Sequence, residues 1–350
     1  MNNLLIIGNG FDLAHNMKTS YNHFLQYLVN EHVTANKFKD LFNLKGKITD
    51  INDFKDENID QFLFDEDFKN DFIKYMLTRN IQTNNWCDIE YIYFSYLDPT
   101  NKISPYINSP KYLNYEFEII KNHLASYLKA EEKKGTVIGI YKDFFNLIDS
   151  KETLILNFNY TDTLKRLYSN EINESKIIHI HGELSNPKNP IIFGYAADDK
   201  ESRDLIDKKD NEYMRNIKKH LYKRTDNERK LTYYLKGTPE INVTILGHSC
   251  GLSDKLILNQ ILNNENVQSI NIFYYEEYEL YFQTQVNIDR IMNNDNNFKK
   301  LVDFNSSHRM PQHNDTNEQQ EDFIKYITPI IEKRKYIKKI YNDNKSSAVK

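Results

Sequence analysis

The residues that could do chemistry stand in short clusters. The first is Gly8-Asn9-Gly10-Phe11-Asp12, directly after the apolar run Leu4–Ile7. Glycines let a backbone approach a phosphate closely, and a helix start just behind them favours negative charge. The full G-x-G-x-x-G fingerprint is missing, because position 13 is leucine. The turn is therefore either a nucleotide contact or a plain tight turn. The second cluster is Asn157-Phe158-Asn159-Tyr160-Thr161-Asp162, where a strand gives way to a helix. Asn159 and Asp162 could face a ligand there, or Thr161 or Asp162 could simply cap the helix.

His179-Ile180-His181-Gly182 is the third. Side chains two apart on a strand share a face, so the two histidines could form a metal pair. No further Cys, His or Asp stands close by at ligand spacing, and no metal site is expected. His181, at a strand end beside a glycine, suits a general base; the alternative is a core histidine with its hydrogen bonds satisfied. Gly247-His248-Ser249-Cys250-Gly251 fits the nucleophile-elbow pattern G-x-S-x-G. Asp303 and His308 follow in the order Ser, Asp, His. The pattern is common by chance and would leave the earlier motifs without a role. A second glycine turn, with Gly247 and the Ser249 hydroxyl against a ribose or phosphate, is the plainer reading. Trp86 to Glu90 holds the single tryptophan. Asp88 and Glu90 would face apart on a helix, so Asp88 is read as an N-cap and Trp86 as packing.

The elements that position these clusters follow from hydrophobic pattern. Leu4–Ile7, Thr153–Asn157, Lys176–His181, Ile241–Leu246 and Ile270–Tyr275 are apolar runs of strand length, with a last strand over Leu301–Phe304. Helical spacing lies between them, over Asp162–Tyr168, Ser253–Leu262 with Ser253 as N-cap, and Tyr278–Met292. The alternation predicts an α/β fold with a mostly parallel, Rossmann-like sheet. Residues 20–150 break the alternation. Ser20–Val29 and Tyr115–Leu128 carry helical spacing there, so a large helical insertion follows the first strand. The division is a discontinuous nucleotide-binding domain (1–20 and 150–310), the 20–150 insertion, a polar helical insertion at 199–236 rich in Lys and Arg, and a C-terminal helix with a basic tail at 311–350.

Composition narrows the function classes. The chain has 350 residues, 39% hydrophobic and 27% charged, which supports a packed core and argues against general disorder. A net charge of -4 does not suit a protein that coats nucleic acid. Two cysteines, Cys87 and Cys250, give no disulfide framework. There is no apolar signal region and no run long enough to span a bilayer, so a cytoplasmic protein with no membrane partner is expected.

Together these segments resemble the AbiH family of bacterial phage abortive-infection proteins. The likeness runs over roughly residues 4–265, through Leu5–His15, Trp86–Glu90, Leu156–Leu164, Ile178–Gly182, Ile191–Tyr195 and Gly247–Asp254. The order of the glycine turn, Asn-Tyr-x-Asp, His-Gly and Gly-x-Ser is also distantly similar to sirtuins and sirtuin-like NAD+-cleaving defence proteins. That resemblance implies a sirtuin-like sheet with NAD+ as substrate and no required cofactor. Gly8, Asn9, Gly10, Phe11 and Asp12 would lie at the phosphates, and Gly247 and Ser249 at the adenosine side. Asn159 would sit beside the nicotinamide ribose and the attacking water, His181 at the ribose hydroxyls, and Asp162 would assist. Asn9 stands where sirtuins usually have alanine, and Asp12 where they have a small residue. The sirtuin zinc cysteines are missing, which argues against protein deacylation.

The expected activity is an NAD+ glycohydrolase that depletes NAD+ on infection. Two alternatives stay open: a nucleotide-binding sensor or toxin scaffold without cleavage, motivated by Asp12, and a Ser249 hydrolase. The expected partners are NAD+ or a related nucleotide and a phage-derived trigger, with a homo-oligomer compatible with either.

Overall fold

Strand β1 (Asn2–Ile7) has side chains that alternate between two cores, as the period of two requires. Leu4 and Ile6 enter one cluster, Leu5 and Ile7 another, and all four are essentially fully buried. Burying each contributes about 1.5–3 kcal/mol. The structure, a computed structural model, describes residues 2–44, 48–55, 65–79, 86–97, 109–148, 153–197, 199–292 and 294–328.

β1 pairs in parallel with β2 (Thr153–Asn157) on one side and β4 (Ile241–Leu246) on the other. Beyond them lie β3 (Ile177–His179), β5 (Val267–Tyr274) and β6 (His308–Arg309). The order is β3-β2-β1-β4-β5-β6, all parallel. This is the doubly wound Rossmann order, in which the chain reverses its direction of travel between β1 and β4. Register brings Ile7, Asn157, His179, Leu246 and Phe273 into one row across the sheet. The turns that follow these residues therefore emerge together at the carboxyl edge.

Helices cover both faces. Leu231 and Leu235 of the helix Asn227–Gly237, Ile257, Leu258 and Ile261 of Lys255–Leu262, and Ile288 of Tyr278–Ile291 pack on the Leu4/Ile6 face. Phe11 of the short helix Asn9–Ala14, Tyr141 and Phe145 of Gly139–Leu147, Tyr168 of Thr163–Tyr168, and Phe323 of helix 317–328 pack on the other. Tyr21–Ala35, Asp71–Arg79, Trp86–Leu97 and Pro110–Glu131 form a separate apolar cluster, which Phe193 and Tyr195 join. Phe117 stacks on Phe193 at 4.8 Å, which ties this helical layer to the chain beyond β3.

Several expected boundaries shift. β3 stops at His179, and the chain turns through Gly182 at φ +86, so His181 lies beyond the strand. The last strand is His308–Arg309; in the expected segment 301–304, Leu301 makes one isolated bridge to Ile270, and Phe304–Ser306 is a 3₁₀ turn. Ser253 does not cap the following helix, which begins at Lys255 with Asp254 in the cap position. Asp88 lies inside the helix Trp86–Leu97 rather than before it. The basic tail beyond Lys333 is outside the described residues. No helix among the described residues is long and apolar enough to cross a membrane.

Candidate functional site

The glycine turns after β1 and β4 interlock. Gly8 N–H donates to the Leu246 carbonyl (3.0 Å) and Gly10 N–H to the Gly247 carbonyl (2.7 Å). A Cβ on Gly8 would stand 2.5 Å from His248 Cα, and one on Gly10 2.7 Å from Gly247 Cα. The glycines are thus demanded by each other's backbone, a reason the sequence did not disclose. Beside them, Asn159 Nδ2 donates to the Gly8 carbonyl (3.0 Å), and Asn159 N–H donates to Asn157 Oδ1 (2.9 Å). Asn159 therefore clamps the end of β2 to the first turn.

Over these turns lies a cleft of about 1110 Å³. Gly8, Asn9, Gly10, Asn159, His181 and Ser249 all line it, and so does Gly247. Phe11 does not face it. Its ring is buried against His15, Tyr141, Phe145 and Tyr168. Asp12 sits at the cleft wall, but both its oxygens are taken. Thr161 donates to Oδ2 (2.5 Å) and Thr163 to Oδ1 (2.8 Å). It is a staple between two strand-end segments, not a charge left facing a phosphate.

Burial pushes the Asp12 carboxyl up to about 6, against the pull of these hydroxyl bonds. A carboxyl raised in the fold binds protons more tightly there than in the unfolded chain. Its contribution is favourable at low pH and is lost as pH rises from about 4 through 6. Asp12→Asn keeps an oxygen and a donor for the threonines. We expect it to be more stable than wild type at about pH 8, by up to about 3 kcal/mol, with the advantage gone at about pH 4. Urea midpoints at the two pH values check this. A variant that is less stable at both would contradict it.

His181 sits at the centre of a buried polar cluster. Its Nε2 lies 3.0 Å from the Tyr222 hydroxyl and 3.2 Å from Asp254 Oδ1. Asp254 Oδ2 lies 3.4 Å from His248 Nε2. Cys250 N–H donates to His248 Nδ1 (2.9 Å), so the His248 ring proton is on Nε2, facing Asp254. Lys218 Nζ bonds Asp254 Oδ1 (2.7 Å), Glu90 Oε2 (2.8 Å) and the Ser253 carbonyl (3.0 Å). Glu90 Oε1 accepts from Gly194 N–H (2.9 Å). The edge of Phe158 meets both histidine rings, at 5.0 and 4.2 Å.

The charges follow from this geometry. Burial opposes the Asp254 charge, but the Lys218 ammonium and the His181 and His248 bonds outweigh it and hold the carboxyl well below its usual range. Burial raises Glu90, with Asp254 adding to it and Lys218 pulling against it. Burial and then the Lys218 charge pull His181 down to about 4, so its imidazole is neutral near pH 7.

Glu90, Lys218, Tyr222, His248 and Asp254 were not assigned roles from sequence. Lys218 lies in a polar, basic stretch where a lysine reads as solvent-facing, yet it is fully buried. Glu90 finds its partner 128 residues away. Asp162 does not join the cluster; it turns toward His179 and Glu183. His179 and His181 thus serve different neighbourhoods and do not form a pair. His308 lies on β6, separated from β4 by β5, and pairs with Asp322 (3.4 Å).

Fold and cleft define a doubly wound, Rossmann-like α/β protein with a ligand-sized cleft at the topological switch point. The chain belongs to the bacteriophage abortive infection family AbiH, which its residues 4–276 match, and its role is accordingly phage abortive infection. No curated protein matches it.

Proposed function

We propose that the cleft binds NAD+ and that the protein hydrolyses its nicotinamide–ribose bond, depleting the cofactor during an abortive response. The observation that carries this is the convergence of Asn159 and His181 on one cleft at the switch point, with His181 backed by Asp254. The cleft exceeds the about 300–1,000 Å³ of ordinary small-molecule sites, which suits a ligand with two nucleoside halves. The motif order shared with sirtuin-like NAD+-cleaving proteins supports the same reading.

In the reaction, the C1′–N bond breaks and nicotinamide leaves. A water oxygen bonds C1′, and the proton that water loses must be taken up. The transition state resembles an oxocarbenium ion and gains from fixed dipoles in a water-poor site. Asp254 beside Nε2 favours the ring proton there and leaves Nδ1 as the proton acceptor, as a carboxylate orients a catalytic imidazole. Asn159, fixed through its Nδ2 on Gly8, has its side-chain Oδ1 to orient the water. Asp12 gives no reason to exclude a pyrophosphate, since both its oxygens are bonded to threonines.

Purified protein incubated with NAD+ is expected to release nicotinamide and ADP-ribose. His181→Ala should lower the rate by about 10²–10⁴-fold, the range for removing a general base. Equal turnover by wild type and variant would remove His181 from the chemistry.

A further inference from the structure

Beyond the ends of β2 and β3 the side chains of Asp162, His179 and Glu183 converge, and the first two each leave a buried atom unbonded. Nε2 of His179 lies 3.9 Å from Asp162 Oδ1 and 3.9 Å from Glu183 Oε2. All three ligand atoms fall within 4.8 Å of one another. Hydrogen bonds need about 2.5–3.2 Å, so these atoms do not bond each other. His179 Nε2 and Asp162 Oδ1 are buried atoms with no hydrogen-bond partner, and His179 is only 3% exposed. Such orphans are few in folded proteins and each requires a reason.

We propose that Asp162, His179 and Glu183 bind one first-row divalent cation, of the Mn2+ or Zn2+ type. An imidazole with two carboxylates is a donor set for these ions. At metal–ligand distances of about 2.0–2.2 Å, neighbouring ligand atoms stand about 3–4 Å apart, so the trio needs only a small contraction. The ligands are also held from behind. Glu183 Oε1 accepts from Asn186 (2.9 Å) and Asn189 (3.1 Å), which aims Oε2 at the site. His179 Nδ1 accepts from Asn157 Nδ2 (3.3 Å), and the Asn159 backbone is also within reach of the ring. Ligation through Nε2 puts the ring proton on Nδ1, so the Asn157 amide must give up its bond to Nδ1 and leave that proton to the Asn159 backbone carbonyl. The Asp162 side chain is 46% exposed and gives the ion a route in.

Lys165 is the competitor. Its Nζ lies 2.9 Å from Glu183 Oε2 and 3.7 Å from Asp162 Oδ1, so it neutralises the carboxylates. A divalent ion takes over that charge, and the flexible lysine stem lets the ammonium move to water. The ion would clasp the segment carrying Asn159 to the turn carrying His181, and so fix their separation.

The test is calorimetry and thermal melting of the full chain with Mn2+ or Zn2+, with Mg2+ as control, plus electron spin-echo spectra of the Mn2+ form. Wild type should bind one equivalent and melt higher. Asp162→Asn and His179→Gln should each weaken binding by at least about tenfold, and His179→Gln should remove the 14N coupling of a ligating imidazole. Lys165→Met should bind more tightly than wild type, because the competing cation is gone. Since Asp162 and Lys165 are partly exposed, these two variants keep the test open if His179→Gln does not fold. Absence of binding by both wild type and Lys165→Met, or binding unchanged in Asp162→Asn, would overturn the proposal and leave a lysine-filled ion cluster. None of these outcomes depends on NAD+ cleavage.

Discussion

Replacing Lys218 with methionine is expected to destabilise the protein by about 3–5 kcal/mol, the range for removing one partner of a buried ion pair. An ammonium has three protons to donate, and here each has an acceptor: Asp254, Glu90 and the Ser253 carbonyl. Methionine fills much of the stem's volume but supplies no donor. Two buried carboxylates then face each other across the vacated position with His181 and Tyr222 as neighbours. Glu90, already raised by burial, takes up a proton more readily. Adding Glu90→Gln should therefore restore part of the loss, because one buried charge is removed with its shape kept. Urea unfolding of the single and double variants measures both effects. A loss below about 1 kcal/mol for Lys218→Met would place the lysine in solvent, where exposed pairs contribute that little.

Gly247→Ala is expected to be comparably severe, for a backbone reason. Gly247 adopts φ +67, a left-handed conformation unfavourable by about 1–2 kcal/mol for an L side chain. An alanine Cβ would also stand 2.4 Å from Phe11 N and 2.6 Å from Gly10 C. The obstacle is backbone, so no rotamer relieves it. The turns must separate, and Gly10 N–H loses its acceptor on Gly247. Together these effects amount to about 2–5 kcal/mol. Ligand affinity should fall as well, since the floor of the cleft is made of these two turns. Thermal melting and nucleotide calorimetry on the variant check this; wild-type stability would mean the turns are not in contact.

These residues show where sequence reading succeeds and where it stops. β1, β2 and β4 were legible because a strand buried on both faces of a parallel sheet must be apolar throughout. Thr153–Asn157 and Ile241–Leu246 fall where the pattern put them. β6 was not legible, because it is two polar residues, His308 and Arg309, at a sheet edge. The apolar Leu301–Val302 nearby was the stronger local signal, yet it pairs at one bridge only.

The strand-end motifs were visible because parallel strands in register deliver their following turns to one edge. Contacts across large sequence separations were not. Asp12 read as a charge beside a phosphate, and its threonine partner Thr161 lies 149 residues on. Asp254, inside the second glycine segment, gave no sign that it abandons helix capping for Lys218 and two histidines. Asp162 stands 17 residues before His179, outside the spacing at which ligands are sought, yet it is adjacent to His179 and its i,i+4 neighbour Glu183 in space.

The central claim is that Asn159 and His181 work on NAD+ in the switch-point cleft. The most direct measurement is NAD+ and nicotinamide in phage-infected cells expressing wild type or His181→Ala, where whatever triggers the response is present. NAD+ should collapse and nicotinamide rise with wild type alone, while variant-expressing cells keep their NAD+ and lose protection. Protection by wild type with NAD+ undiminished would contradict the account.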